Sequence, residues 1–226
     1  MTPGAALLAS KIAERERVLS TFLAAEQEQL ALACHAMARA FTAGGTLVAW
    51  GSGAAASDAA HVAVEFMHPV IVGKRALPAL AAPELARAGD IAIGIVHGGR
   101  DAAVEELLAR PGLLTIALTG AERIDADFSF SVPSDDRAVV QEVQETAYHV
   151  LWELVHVFFE HPGLLADACI TCGDVAVEAR VVAVANRTAV IELGGAREEV
   201  AVDLVEGVAV GDTLLCHAGV ALERLA

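Results

Sequence analysis

The chain has 226 residues, enough for one medium domain and a small module, and its thirty acidic against fifteen basic side chains give a net charge of −15. That balance repels phosphate backbones and anionic lipid, which argues against nucleic acid or a membrane as partner. Apolar runs are broken before about 18 residues, the N-terminus lacks a basic start, and four cysteines do not make a secreted disulfide framework, so a cytoplasmic protein is expected.

Residues 5–41 contain no Gly or Pro, and Val18, Phe22, Leu23, Leu30, Ala33 and Met37 recur at helical spacing, so long N-terminal helices are predicted, ended by Thr42-Ala-Gly-Gly. Thr46–Trp50 reads as a buried strand running into Gly51-Ser52-Gly53 and a helix over Ala54–Met67. A second strand, glycine turn and helix follow at Ile91–Ile95, Val96-His97-Gly98-Gly99 and Arg100–Arg110, with a further strand at Leu113–Leu118. Strands in series with crossover helices predict an α/β domain with a parallel sheet. Arg137–His161 is a long amphipathic helix, stopped by Pro162-Gly163. A domain boundary is placed near 162–168, giving domains over 1–165 and 166–226. From Val175 the period changes to two, over Val175–Val184, Ala189–Leu193 and Glu199–Val202, separated by Asn186-Arg187 and Gly194-Gly195; these are hairpins of a small all-β barrel.

Gly51-Ser-Gly-Ala-Ala-Ala-Ser-Asp-Ala-Ala-His61-Val-Ala-Val-Glu65 is similar to the first binding loop and helix of the phosphoheptose isomerases, in the sugar-isomerase (SIS) fold family. Val132-Pro-Ser134-Asp-Asp136 and Gln141-Glu-Val-Gln-Glu-Thr-Ala-Tyr-His149 match the same family near its last helix. The resemblance covers about residues 15–160 and implies a SIS-type parallel sheet flanked by helices. It also implies that Glu65 and His149 serve proton transfer between two sugar carbons, that His61, Glu65, Gln141 and His149 can hold zinc, and that Gly51, Ser52, Gly53 and Ser134 contact a sugar-phosphate ligand. His61 and Glu65 share a helix face. Gln141 and His149 are eight apart, roughly 12 Å along a helix and near the limit for converging on one ion; the residues alone equally describe a polar stripe, Gln141, Glu145, His149, Glu153.

Two departures from the family fall on its phosphate donors. Its first loop carries a phosphate-binding serine where this chain has Ala55, and its second loop is Ser/Thr-rich where this chain has Val96-His97-Gly98-Gly99-Arg100-Asp101. His97 and Arg100 can offer charge to an anion, which Asp101 offsets. The stretch Leu77–Asp90 is also shorter than the family segment that closes over the sugar. A retained fold with lost or altered catalysis is expected.

Cys169-Ile-Thr-Cys172-Gly-Asp174 and Gly211-Asp-Thr-Leu-Leu-Cys-His217-Ala-Gly219, with Gly194-Gly195 and the Val181-Val182 strand between them, resemble HypC-type chaperones of nickel-iron hydrogenase maturation. The match covers about 169–226 and implies an OB-like barrel. It further implies that Cys169 or Cys172, with His217, holds an iron precursor, and that the partners are a HypD-type maturation protein and the hydrogenase large subunit. A thiolate is a soft, strongly donating ligand suited to such iron. Cys169 comes first by motif order. A zinc site at Cys169-x-x-Cys172 stays open as an alternative, although Cys216 and His217, being neighbours on a strand, point to opposite faces. Cys34 and Cys216 are read as packed core thiols. SIS domains pair through their long helices, so a homodimer or homotetramer is expected. The leading reading is a hydrogenase maturation accessory protein; the alternatives are a phosphosugar isomerase with an accessory barrel and a scaffold with neither activity.

Overall fold

The structure, a computed structural model, describes residues 2–161, 165, 177–193, 196–217 and 219–225. Cys169, Cys172, Gly194-Gly195 and the start of the Val175 strand lie outside the described residues, as does most of the expected boundary at 162–168. The chain divides into two compact units, Met1–His156 and Val157–Ala226.

The first unit opens with α1 (Pro3–Thr42), one continuous helix where the sequence pattern suggested more than one; with neither Gly nor Pro between 5 and 41, nothing breaks it. Thr2 caps it by accepting from Ala5 N–H at 3.3 Å, Pro3 occupies the first turn where its missing N–H is harmless, and Gly44 ends it in the left-handed region at φ 93°. Its buried stripe begins only at Val18 and continues through Phe22, Leu30, Cys34, Met37 and Phe41.

β1 (Leu47–Trp50), α2 (Ala55–Met67), β2 (Ala79–Leu80), β3 (Ile91–Ile95), α3 (Ala102–Leu108), β4 (Leu114–Thr119), β5 (Phe128–Ser131) and α4 (Arg137–Glu160) follow. All five strands are parallel, in the order β2-β1-β3-β4-β5. Every side chain of β3 is buried, as a sheet covered on both faces requires. α2 packs on β1 to β3, α3 on β3 and β4, and α1 on β4 and β5. Two strands were not anticipated. β2 has only two residues, and β5 is an edge strand of alternating Phe and Ser whose pattern is half polar. The chain leaves β1 for β2 on one side and returns to place β3 on the other, so the loops after β1 and β3 diverge and open a crevice at the carboxyl ends of these strands.

The second unit contains β6 (Val177–Ala185), β7 (Thr188–Leu193), β8 (Ala196–Ala201), β9 (Thr213–His217) and β10 (Val220–Leu225), closed in the order β10-β8-β7-β6-β9. Neighbours are antiparallel except β8 and β10, which run parallel through the pair Ala201 and Val220. This is the OB-like arrangement expected, a barrel without a free edge. Asn186, at φ 51°, makes the β6–β7 turn that Asn-Arg marked. The barrel core contains no aromatic ring; it is Ala179, Val181, Ala189, Ile191, Val200, Val202, Leu214, Cys216 and Ala221. Among the described residues no helix is long and apolar enough to cross a membrane.

Candidate functional site

The crevice at the ends of β1 and β3 is a cleft of about 420 Å³ lined by Ser52, Gly53, Ala55, His97, Arg100, Asp101, Arg137 and Gln141 among others. Gly51 lies just before this cleft: a Cβ there would lie 2.8 Å from Ala55 Cβ and from the backbone oxygens of Ala55 and Ile95, so only glycine lets β1 turn into α2 so close to β3. Asp101 caps α3, its Oδ1 accepting from the N–H groups of Ala103 at 2.9 Å and Val104 at 3.2 Å, while its Oδ2 accepts from the Ser52 hydroxyl. The Ser52 bond, followed by those two N–H groups, holds the Asp101 carboxyl below the usual carboxylate range despite partial burial. The carboxylate therefore takes the Ser52 hydroxyl of the first glycine loop and two N–H groups at the start of α3. Arg100 is committed elsewhere, to Glu105 through two bonds of 2.7 and 2.8 Å. Arg137 lines the cleft and makes no ion pair among the described residues.

Asp58 lies at the buried side of the crevice, 5% exposed, one helical turn before His61. Gln141 Nε2 donates to both its oxygens, at 3.1 and 3.2 Å. His97 Nε2 stands 2.9 Å from Asp58 Oδ2, yet the ring nitrogen has no aligned hydrogen bond; the pair is a close charge contact and not a directed bond. Ser134, in the approach to α4, accepts from Asp136 N–H at 3.2 Å, a local turn bond with no contact into the cleft described.

A second group sits where α2 faces α4. His61 Nε2 is 3.2 Å from Glu65 Oε1, and His61 Nδ1 is 2.9 Å from Tyr148 Oη and 3.7 Å from Glu145 Oε1. The His61 and His149 rings meet edge to face with centroids 5.1 Å apart. Burial, followed by the nearby Glu145, Asp58 and Glu65 carboxylates, raises the Tyr148 phenol, so it stays protonated at neutral pH and donates to His61 Nδ1. The Nε2–H then points to Glu65, giving an ordered Tyr148–His61–Glu65 relay. Ligand atoms of His61, Glu145 and His149 all lie within 4.8 Å of one another. Around His61 the structure thus gathers Glu65, Glu145, Tyr148 and His149, while the Gln141 amide is tied to Asp58. Tyr148 gave no signal as a lone aromatic on an apolar face; Glu145 was visible only as part of the polar stripe.

In the barrel, Cys216 is buried in the core and His217 is half-buried on the other face of β9, as strand alternation requires. Burial raises the Cys216 thiol, and pushes that of Cys34 up to about 12, so neither is an available thiolate at neutral pH. His217 pairs with Val220 across the β9–β10 hairpin, whose Gly219 takes φ 80°.

Residues 175–226 match the model of the HupF/HypC family. The first part of the chain is 32% identical over 158 residues to a phosphoheptose isomerase of Thermodesulfovibrio yellowstonii, covering 56% of this chain and 79% of the relative. It is 31% identical over 185 residues to that of Solidesulfovibrio magneticus, covering 68% and 91%. A solved phosphoheptose isomerase from Neisseria gonorrhoeae superposes with a TM-score of 0.60 at 22% identity, over 68% of this chain and 98% of that one, which establishes the shared fold. The chain therefore belongs, over its first unit, to the phosphoheptose isomerase family, and it carries a HupF/HypC family segment at residues 175–226.

Proposed function

We propose that this protein is an accessory factor of nickel-iron hydrogenase maturation, in which the barrel holds an iron precursor for a HypD-type partner and the hydrogenase large subunit, and the isomerase-like unit has exchanged phosphosugar turnover for another role. The observation that carries the reading is the HupF/HypC match at residues 175–226, ending on a hairpin that presents His217 beside a buried, unreactive Cys216. With Cys34 and Cys216 withdrawn into cores, Cys169 and Cys172 are left as the thiolates for iron. Asp101 supports the second half of the proposal, because a fixed carboxylate stands where the family resemblance puts phosphate.

The test is pull-down of a HypD-type partner with its iron quantified, together with hydrogenase activity in a strain that depends on this protein. Cys169→Ala is expected to abolish both, Cys172→Ala to weaken them, and His217→Ala to fall between. If Cys169→Ala keeps normal iron and partner binding while Cys172→Ala loses both, the two thiols exchange roles. Normal maturation by the double alanine variant would overturn the thiolate mechanism.

A phosphosugar isomerase with an accessory barrel is the second reading, and the assembly of Glu65, His61 and His149 favours it. On either reading the first unit is proposed to form a homodimer or homotetramer. The first turns of α1 expose Leu7, Leu8 and Ile12, and the segment after α2 exposes Val70, Ile71 and Val72, apolar surface that a second copy would cover. Light scattering at micromolar concentration should give twice or four times the mass of the 23.4 kDa chain; a monomer there rejects the assembly.

A further inference from the structure

We infer that His156 is a proton-operated clasp, which ties the stretch between α2 and β2 to α4 while its ring is protonated and releases it when the proton leaves. The ring is 1% exposed, and both its nitrogens face a carbonyl oxygen: Nδ1 lies 2.8 Å from Trp152 O and Nε2 lies 2.9 Å from Arg75 O. A carbonyl oxygen only accepts. A neutral imidazole has one N–H, so it bonds one of these oxygens and turns a lone pair on the other. The imidazolium donates to both. The surroundings suit a buried cation. The buried Trp152 indole lies beside the ring with centroids 4.6 Å apart and planes at 48°, and an aromatic ring within about 6 Å attracts positive charge. His156 also stands four residues before the end of α4, toward the pole of the helix dipole that favours a cation.

The two bonds do different work. The Trp152 bond lies within α4 and orients the ring, whereas the Arg75 bond reaches a residue 81 positions away. Arg75 belongs to a stretch that leaves α2 at His68, whose N–H donates to Val64 O at 2.7 Å, and is pinned again at the buried Leu77, whose N–H donates to Phe66 O at 2.9 Å. Between these points Val70, Ile71 and Val72 are exposed. The His156 bond fixes the return of the stretch, and with it how this apolar turn is presented. When the ring is neutral, one of the two carbonyls loses its donor in a buried place. Arg75 O is the easier to release, because its stretch can swing toward water while Trp152 O keeps its place in the backbone ladder of α4. The stretch also carries His68, Lys74 and Arg75, α4 carries the exposed Glu153 and Glu160, and α1 brings Cys34 and His35 beside the preceding turn of α4, where Cys34 Sγ contacts Leu151 O at 3.8 Å. Burial holds Cys34 as a neutral thiol, and His35, Lys74, Arg75 and Glu160 are engaged in contacts of their own.

The test uses the full chain with isotope-labelled histidine. Ring-nitrogen NMR, with the His156 signals assigned by their loss in His156→Gln, reads the proton directly, and both nitrogens should carry one at about pH 5. Amide exchange, corrected for its intrinsic dependence on pH, is then followed in peptides covering 69–77 from about pH 5 to about pH 8, the range over which histidine changes charge. Protection there should fall about tenfold as pH rises, the effect of losing one hydrogen bond from a charged donor, while peptides of β3 and β4 keep theirs. His156→Gln, with a donor that carries no titrating proton, should show no such fall. His156→Phe, which keeps an aromatic ring and offers no donor, should show low protection at both ends of the range; native protection of β3 and β4 establishes that each variant is folded. A His156 ring with a single proton throughout the range, unchanged protection of 69–77, or an equal fall in His156→Gln would overturn the clasp. Where a second copy covers Val70 to Val72, as proposed above, association read by light scattering should weaken over the same range; a chain that is monomeric throughout rejects that assembly and not the clasp.

Discussion

Sedoheptulose phosphate should be isomerised by this protein about 10²–10³ times more slowly than by an ordinary phosphoheptose isomerase. Each hydrogen bond lost to a charged phosphate costs about 1.5–3 kcal/mol, so the loss of two reaches that factor, and here hydroxyl donors are missing at Ala55 and across Val96 to Asp101. The structure adds a positive obstacle to these losses. Asp101 is held ionised by Ser52 and the start of α3, at the mouth of the cleft where phosphate would approach. Two unit charges about 4 Å apart repel by about 4 kcal/mol at an effective dielectric of about 20, and even a third of that after screening is tenfold in affinity. Asp101→Ser isolates the term, because serine is as good an N-cap as aspartate and α3 keeps its end. Inorganic phosphate or the sugar phosphate should then bind at least tenfold more tightly by calorimetry, with little change in thermal stability. Turnover within tenfold of a family member, or an Asp101→Ser variant with unaltered affinity, would refute the account of a self-occupied site.

The barrel should come apart on a single core truncation, Leu214→Ala, while the first unit stays folded. Its core is built from small aliphatic side chains and one thiol, so Leu214 and Ile191 are its two largest members, at 0% and 1% exposure. Leu→Ala at a buried site costs about 2–5 kcal/mol, through lost burial and the cavity left behind. A single small core of this size supplies only about 3–5 kcal/mol of net stability. The loss therefore equals most of what holds β6 to β10 closed. Hydrogen exchange on the full chain should show peptides of β6, β7 and β9 losing protection, with those of β1, β3 and β4 unchanged. Ile191→Val, at about 0.5–1.5 kcal/mol, should leave the barrel intact. Native protection throughout the barrel in Leu214→Ala would mean that this cluster is not its core.

Much of the architecture was already legible along the chain. β3 and β4 announce themselves as short, mostly apolar runs after glycine, and α4 as a long three-four periodicity stopped by Pro162. The change of period near 175 separated barrel from sheet because side chains on a strand alternate between faces whatever lies around them. β5 was missed because Phe-Ser-Phe-Ser carries the pattern of an edge, and β2 because two residues carry no period at all. The pairs His61 with Glu65 and Gln141 with Asp58 mark the limit more clearly. The first lies within one helix, and spacing alone put its members on one face. The second joins residues 83 positions apart, and only the packing of α2 beside α4 decided that the Gln141 amide would serve a buried carboxylate and that Glu145 would meet the two histidines. Asp101 is a similar case. Along the chain it was only a charge offsetting Arg100; its capping of α3 and its union with Ser52 emerged with the structure, the latter because β1 and β3 lie next to each other in the sheet. Local periodicity and backbone geometry act between near neighbours and are written in the sequence itself; the partners of a polar side chain across the fold are set by which elements the core brings together.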